Sequence, residues 1–418
     1  MMTGLVVAAT PLMEARKDFS TKTDGARDAK VLTPVRGGKV IKFPSGSLQL
    51  SATVMTPKNK AAKLPAIVWL TGGFPCCGVD EETWAESPDA NDQSARQYFD
   101  AGMVMLFPTL RGAYGNPGTL DSYWGEVDDV LAAIEWLKHQ PNIDPNRIWL
   151  GGHSAGATMA VLAAEAGAPV QGVIAFGGAA EVCDYGAQRL HFDVHDAKEC
   201  ELRSPLKWLS TTATPMWFIA GAFDDSYGHW KLRAAAGAAS NRHFFSITGA
   251  THFDALLPVN TLIAKRLAAG LPPLADDDEA QRAFDAVPQE TVAMPDGGSF
   301  RVPPDFEKAE APDKSSLVYD RDQVRIFVQL PGRGLLNPAK PCFAPNDQAT
   351  TIHAKWNGFE LCGARVMAEK KELLMFVQVP LAPNFIVVGV RWRFANDQLM
   401  EPLLQRVLNG VKGPTNWK

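Results

Sequence analysis

The sequence predicts an α/β architecture: a doubly wound, mainly parallel sheet, followed by a second, smaller α+β domain at the carboxyl end. Three observations predict it. Short apolar runs bounded by Gly, Pro or Thr alternate with helix-period segments through the first 270 residues, as βα units do. An acidic stretch with paired prolines, "LPPLADDDEAQRAFDAVPQE", then interrupts the pattern at residues 271–290. Beyond it the texture changes to the alternation of β-strands.

Residues 1–38 read as an N-terminal extension. Its apolar start has no basic residue ahead of it, which argues against a signal peptide and slightly for the cytoplasm. In residues 39–270, "KVIKF" and "LQLSATVMT" read as early strands. The runs "PAIVWL", "MVMLFP", "RIWLGG", "GVIAFGG", "PMWFIAG" and "FFSIT" read as strands buried on both faces. Between them "SARQYFDAG", "EVDDVLAAIEWLKHQ", "AGATMAVLAAEAG" and "THFDALLPVNTLIAKRLAAG" carry apolar residues at helical spacing. Residues 271–290 read as a linker with one short helix. In residues 291–418, "VRIFVQL", "TTIHAKW", "FELCGARVM", "LLMFVQV" and "FIVVGVRWRF" read as strands and "DQLMEPLLQRVLNGVK" as a closing amphipathic helix.

Hydrophobic residues make up 46% of the 418 and charged ones 21%, which excludes wholesale disorder. A net charge of -5 without a dense Lys/Arg run excludes a phosphate-backbone surface, so no nucleic-acid partner is expected. No apolar run is long enough to span a bilayer as a helix. The six cysteines read first as buried thiols. Pairing of Cys183 with Cys200 and of Cys342 with Cys362, or a vicinal Cys76–Cys77 bond, is the alternative reading.

One stretch carries chemistry. Gly152-His153-Ser154-Ala155-Gly156 fits G-x-S-x-G between the strand "RIWLGG" and an alanine-rich helix. A nucleophile on so sharp a strand-to-helix turn needs small neighbours, and the helix N-terminus favours developing negative charge. A serine hydroxyl also needs a base and an acid to orient that base. Asp224 and His252, each just past a strand's carboxyl end, fit those roles; Asp225 is the alternative acid. The elbow supplies the N–H of Ala155 for an oxyanion. The second donor is expected from the N–H of Gly73 or Phe74 after "PAIVWL", with the Thr71 side chain as alternative. Trp84, Tyr123 and Trp124 are candidate pocket residues. His191 and His195 would share a helical face as zinc ligands do, but a serine triad requires no metal, and neither metal nor cofactor is expected.

The set "VWLTGGF", "FPTLRGAYGNPG", "SYWGEVDDVLAAIEWL", "NRIWLGGHSAG", "LRSPLKW", "PMWFIAGAFDD" and "GATHF" resembles the α/β-hydrolase superfamily, on its dienelactone hydrolase and prolyl oligopeptidase side. The resemblance covers residues 40–270. It implies hydrolysis through an acyl-enzyme, with Ser154, Asp224 and His252 in the three triad roles. Thr71 departs from the tyrosine of the oligopeptidases. The roughly 60 residues before "PAIVWL" are also too few for their β-propeller, at about 40–50 residues per blade. An ester or short amide is therefore the expected small-molecule partner, ahead of a peptide. A catalytically silent scaffold is the rival from another class. The carboxyl-terminal domain resembles PsbP-like sandwich domains in layout only, and is left as a place for a protein partner.

Overall fold

The first unit is built on eight strands: β1 (Gly38–Ser45), β2 (Leu48–Met55), β3 (Leu64–Leu70), β4 (Val104–Pro108), β5 (Ile143–His153), β6 (Val173–Phe176), β7 (Met216–Gly221) and β8 (Arg242–Ile247). In the sheet they lie in the order β1-β2-β4-β3-β5-β6-β7-β8. The β1–β2 hairpin is antiparallel and β2 pairs antiparallel with β4, whereas every pair from β4 to β8 is parallel. The computed structural model describes residues 10–58, 63–85, 87, 91–222, 227–286, 290–294, 298–302, 306–311, 316–321, 324–329, 349–356, 359–368, 372–381, 384–393, 404, 407–408 and 411–412. The chain divides into two units, Met1–Ala286 and Val287–Lys418.

Period-two geometry explains why the central strands are apolar throughout. Along β3, Ala66, Val68 and Leu70 face one core, while Ile67 and Trp69 face the other. Helices Gly125–Lys138 and Ala155–Glu165 cover the first face. Helices Gln97–Asp100, Leu256–Ala268 and Asp277–Asp285 cover the second. This is the doubly wound sheet that the alternating pattern predicts. Strand order reverses around β3, and in such sheets the crevice for a ligand opens at the strands' carboxyl ends beside the reversal.

The segment read as a linker is part of the first unit up to residue 286. Asp276 caps the helix Asp277–Asp285, its side chain accepting the Glu279 N–H at 2.8 Å. Phe284 is 1% exposed and joins Leu274 and Ala280 in the second core. This is the short helix expected in the segment, and what the polar composition did not show is that one of its faces is buried in the second core. Phe284→Ala should lower stability by about 3–5 kcal/mol, as for other buried phenylalanines. A chain ending at residue 270 should accordingly unfold at lower denaturant than one ending at residue 286. Equal midpoints would place this helix outside the core.

The second unit pairs β9 (Glu290–Ala293) with β10 (Ser299–Val302). Its larger sheet holds β11 (Glu307–Ala309), β12 (Ser316–Arg321), β13 (Val324–Gln329), β14 (Ala349–Trp356), β15 (Phe359–Ala368), β16 (Glu372–Leu381) and β17 (Asn384–Arg393). All pairs are antiparallel, in the order β11-β12-β13-β17-β16-β15-β14. Within the expected closing helix, Leu404, Val407 and Leu408 are helical and buried. No helix among the described residues is long and apolar enough to cross a membrane. The apolar start, residues 1–9, and the Cys342 partner of a Cys362 bond lie outside the described residues.

Candidate active site

β5 ends at His153 and the next helix begins at Ala155, so the whole change of direction falls on Ser154, at φ 53° and ψ -119°. A positive φ is disfavoured for any residue with a Cβ, and it persists only where the surroundings over-determine it. Here the Ser154 N–H is held by the Phe176 carbonyl at 2.7 Å. The flanking glycines are required by close approach. A Cβ on Gly156 would stand 2.1 Å from the Leu70 carbonyl oxygen, and one on Gly152 would stand 2.7 Å from the Gly156 backbone.

Ser154 and His252 line one cavity of about 860 Å³ at the carboxyl ends of the strands. His252 sits in a turn braced by its neighbours. The Thr251 N–H donates to Asp254 Oδ1 at 2.7 Å, while the Asp254 and Phe253 N–H groups donate to Thr251 Oγ1 at 3.2 and 3.3 Å. The acid candidates Asp224 and Asp225 lie outside the described residues. Their strand is placed: β7 and β8 are parallel neighbours, and the Ala222 N–H reaches the Ile247 carbonyl at 2.9 Å.

After β3 the chain turns through residues 71–76. The Thr71 hydroxyl donates to the Gly78 carbonyl at 3.0 Å, so it is spent inside the loop and the side-chain alternative for the oxyanion is set aside. The Gly72 N–H is likewise taken, by Gln93 Oε1 at 3.0 Å. Gly73 and Phe74 line the cavity. Among the described residues no acceptor takes the N–H of Gly73, Phe74 or Ala155. The Ala155 N–H belongs to the first turn of its helix, where intrahelical partners are missing by construction.

Of the three aromatic candidates, only Tyr123 lines the cavity. It stacks on Tyr185 at 6.1 Å, and Tyr185 in turn meets the edge of Phe74 at 4.9 Å. Trp84 is instead buried in the second core against Phe99 and Phe107, across the sheet from this wall. Trp124 packs on Phe19 and under the guanidinium groups of Arg16 and Arg203. The adjacent Tyr123 and Trp124 thus point different ways, and only the first enters the cavity.

The loop that presents Tyr123 is strained and heavily tied. Ser122 and Tyr123 have φ of 51° and 72°. Glu126 accepts the N–H groups of Asp121 and Ser122 at 2.9 Å each and of Trp124 at 3.2 Å. Burial pushes the Glu126 carboxyl up, reinforced by Asp121 beside it. Arg203, ion-paired with Glu199, donates to the Ser122 carbonyl at 2.9 Å. Arg16 donates to Tyr123 and Leu202 carbonyls at 2.9 and 2.8 Å. Burial and the nearby Arg203 hold the Arg16 guanidinium down to about 10, so it remains charged at neutral pH.

Arg16 belongs to the N-terminal extension, whose part in the site was not visible in the sequence. The Asp28 N–H donates to the Gly112 carbonyl at 2.8 Å, and Arg27 and Asp28 line the cavity. Asp24 meets His191 at 3.0 Å, tying the extension to the insert between β6 and β7. His191 and His195 do not lie on a helix, and no group of three metal-ligating side chains occurs among the described residues. The insert is closed by a Cys183–Cys200 disulfide, and Cys76 is bonded to Cys77 at the cavity wall. Both replace the buried thiols expected first. Closing a loop of that length contributes roughly 3 kcal/mol by restricting the unfolded chain.

Comparison with known proteins gives partial matches. The sequence pattern of the X-Pro dipeptidyl-peptidase (S15) family matches residues 45–189. An uncharacterized protein of Mycobacterium tuberculosis is 32% identical over 158 residues, 37% of this chain and 54% of that protein. The uncharacterized peptidase YtmA of Bacillus subtilis is 30% identical over 87 residues, 21% of this chain and 34% of that one. The chain thus spans about half the length, or less, of these curated relatives. A hyperthermophilic esterase from Pyrobaculum calidifontis superposes with a TM-score of 0.45 at 18% identity, covering 57% of this chain and 87% of the esterase.

Proposed function

We propose that the first unit belongs to the α/β-hydrolase superfamily and that the protein is a serine hydrolase that cleaves an ester or small amide through an acyl-enzyme on Ser154. One observation carries this reading: Ser154, at a positive-φ strand-to-helix turn, shares a cavity with His252 and with the N–H bearing loop of Gly73 and Phe74. In this mechanism His252 takes the Ser154 proton as the hydroxyl attacks the carbonyl carbon. The tetrahedral oxyanion is received by the Ala155 N–H and by that of Phe74 or Gly73. His252 then returns the proton to the leaving group, and water repeats the sequence on the acyl-enzyme. Asp224 holds the imidazole in the working tautomer.

A second reading, an exopeptidase or amidase, is favoured by the S15 match. It needs a carboxylate for the substrate ammonium. Glu126 is spent on three backbone N–H groups, which leaves Asp28 on the cavity wall for that task. Steady-state kinetics on p-nitrophenyl esters and on aminoacyl-proline anilides separate the two. The ester reading expects the higher kcat/KM on short esters, and Asp28→Asn should leave it within about twofold, because that mechanism gives the Asp28 carboxylate no part. Preferred turnover of the anilides, lost in Asp28→Asn, would replace it with the exopeptidase reading.

A further inference from the structure

Beneath Ser154 a chain of side-chain hydrogen bonds joins two loops that the sequence keeps far apart. The Gly72 N–H donates to Gln93 Oε1 at 3.0 Å. Gln93 Nε2 lies 2.8 Å from His153 Nδ1 and 2.6 Å from Asn91 Oδ1. His153 Nε2 lies 2.8 Å from the His252 carbonyl oxygen. The polarity follows from the ends. Gln93 Oε1 faces a donor, so its Nε2 is the amide donor and His153 Nδ1 accepts. The proton of His153 is therefore on Nε2, donated to a carbonyl that has no proton of its own.

Each member is fixed. His153 is fully buried, and burial together with His252 holds its imidazole down to about 3, so it stays neutral and keeps this single tautomer near neutral pH. The Gln93 backbone is pinned by the Trp69 indole N–H on its carbonyl at 3.0 Å and by Ser87 Oγ on its N–H at 3.1 Å. Gly72 admits no side chain, since a Cβ there would stand 2.9 Å from His153 Nδ1 and 3.3 Å from Gln93 Oε1.

We propose that Gln93 and His153 are positioning residues, a hydrogen-bonded strut that sets the oxyanion loop at residues 72–74 and the base loop at residues 251–254 in register on either side of Ser154. The proposal rests on the serine hydrolase reading of those loops and goes beyond it by assigning two residues outside the triad. The strut touches neither substrate nor reacting atom. By holding the Gly72 N–H it fixes the start of the loop whose Gly73 and Phe74 line the cavity. By holding the His252 carbonyl it fixes the backbone that carries the base into the cavity it shares with Ser154. Its contribution falls on the transition state, where a displacement of about 1 Å can reduce rate 10²-fold.

The test compares Gln93→Met, which keeps length and loses every hydrogen bond, with Gln93→Glu, which keeps the acceptor for Gly72 and loses the donor to His153. On the best ester substrate, kcat should fall roughly 10- to 100-fold in both variants with KM within about twofold, and fluorophosphonate labelling should slow by the same factor. A wild-type kcat in either folded variant overturns the strut, as does a loss confined to KM. If Gln93→Met fails to fold, Gln93→Glu alone decides. A wild-type enzyme that neither labels nor turns over any ester fails the hydrolase reading instead, a result distinguishable because it precedes any substitution.

Discussion

Ser154→Ala is expected to give a folded protein that takes up no fluorophosphonate and loses turnover by ~10⁶-fold, the scale seen when a triad nucleophile is removed. The substitution changes one oxygen atom. Alanine tolerates the positive φ no worse than serine, and the Phe176 carbonyl still receives the residue's N–H, so the turn itself should persist. Circular dichroism and the unfolding midpoint should match the parent. Undiminished labelling would show that another nucleophile reacts, and the assignment of the elbow would fall. Lost labelling with lost folding would be uninformative, which is why the midpoint is measured on the same preparation.

The second large effect separates two adjacent aspartates. β7 ends at Gly221, beside Ile247 at the end of β8, and the chain then leads in three residues to Asp224. The turn that carries His252 follows β8, the parallel neighbour of β7, at residues 251–254. Asp224→Asn should preserve shape while favouring the wrong imidazole tautomer, lowering kcat by about 10³- to 10⁴-fold with KM little changed. Asp225→Asn should lower it far less. The reverse order of effects would make Asp225 the orienting acid and shift the turn after β7 by one residue.

The fold of the first unit was legible because its information is local. Apolar runs buried on both faces, Val104–Pro108 and Val173–Phe176 among them, carry their own strand signal, and the residues between them keep helical period. The helix Asp277–Asp285 was legible only as one short helix within a linker, because its place depends on Leu274 and Phe284 meeting a core assembled elsewhere. Trp84 and Trp124 were placed in the pocket on residue type alone. Type does not say which side of the sheet a side chain enters.

By itself the sequence determined the elbow. Strand, small residues, serine and helix are contiguous, and the glycines at 152 and 156 are required by approaches of the Leu70 carbonyl and of the turn on itself. It also supplied candidates for the acid and the base, Asp224 and His252, each placed after a run that declares itself a strand. Tertiary structure alone decided the rest of the cavity. The Gln93–His153 pair joins residues 60 positions apart, Arg16 reaches carbonyls more than 100 positions away, and the Tyr123 loop holds a strained backbone only because Glu126, Arg203 and Arg16 converge on it. Such contacts have no local signature. A lone glutamine or arginine in a loop looks the same to the sequence whether it faces solvent or a buried carbonyl, and only the packed chain decides which polar groups are left to find one another.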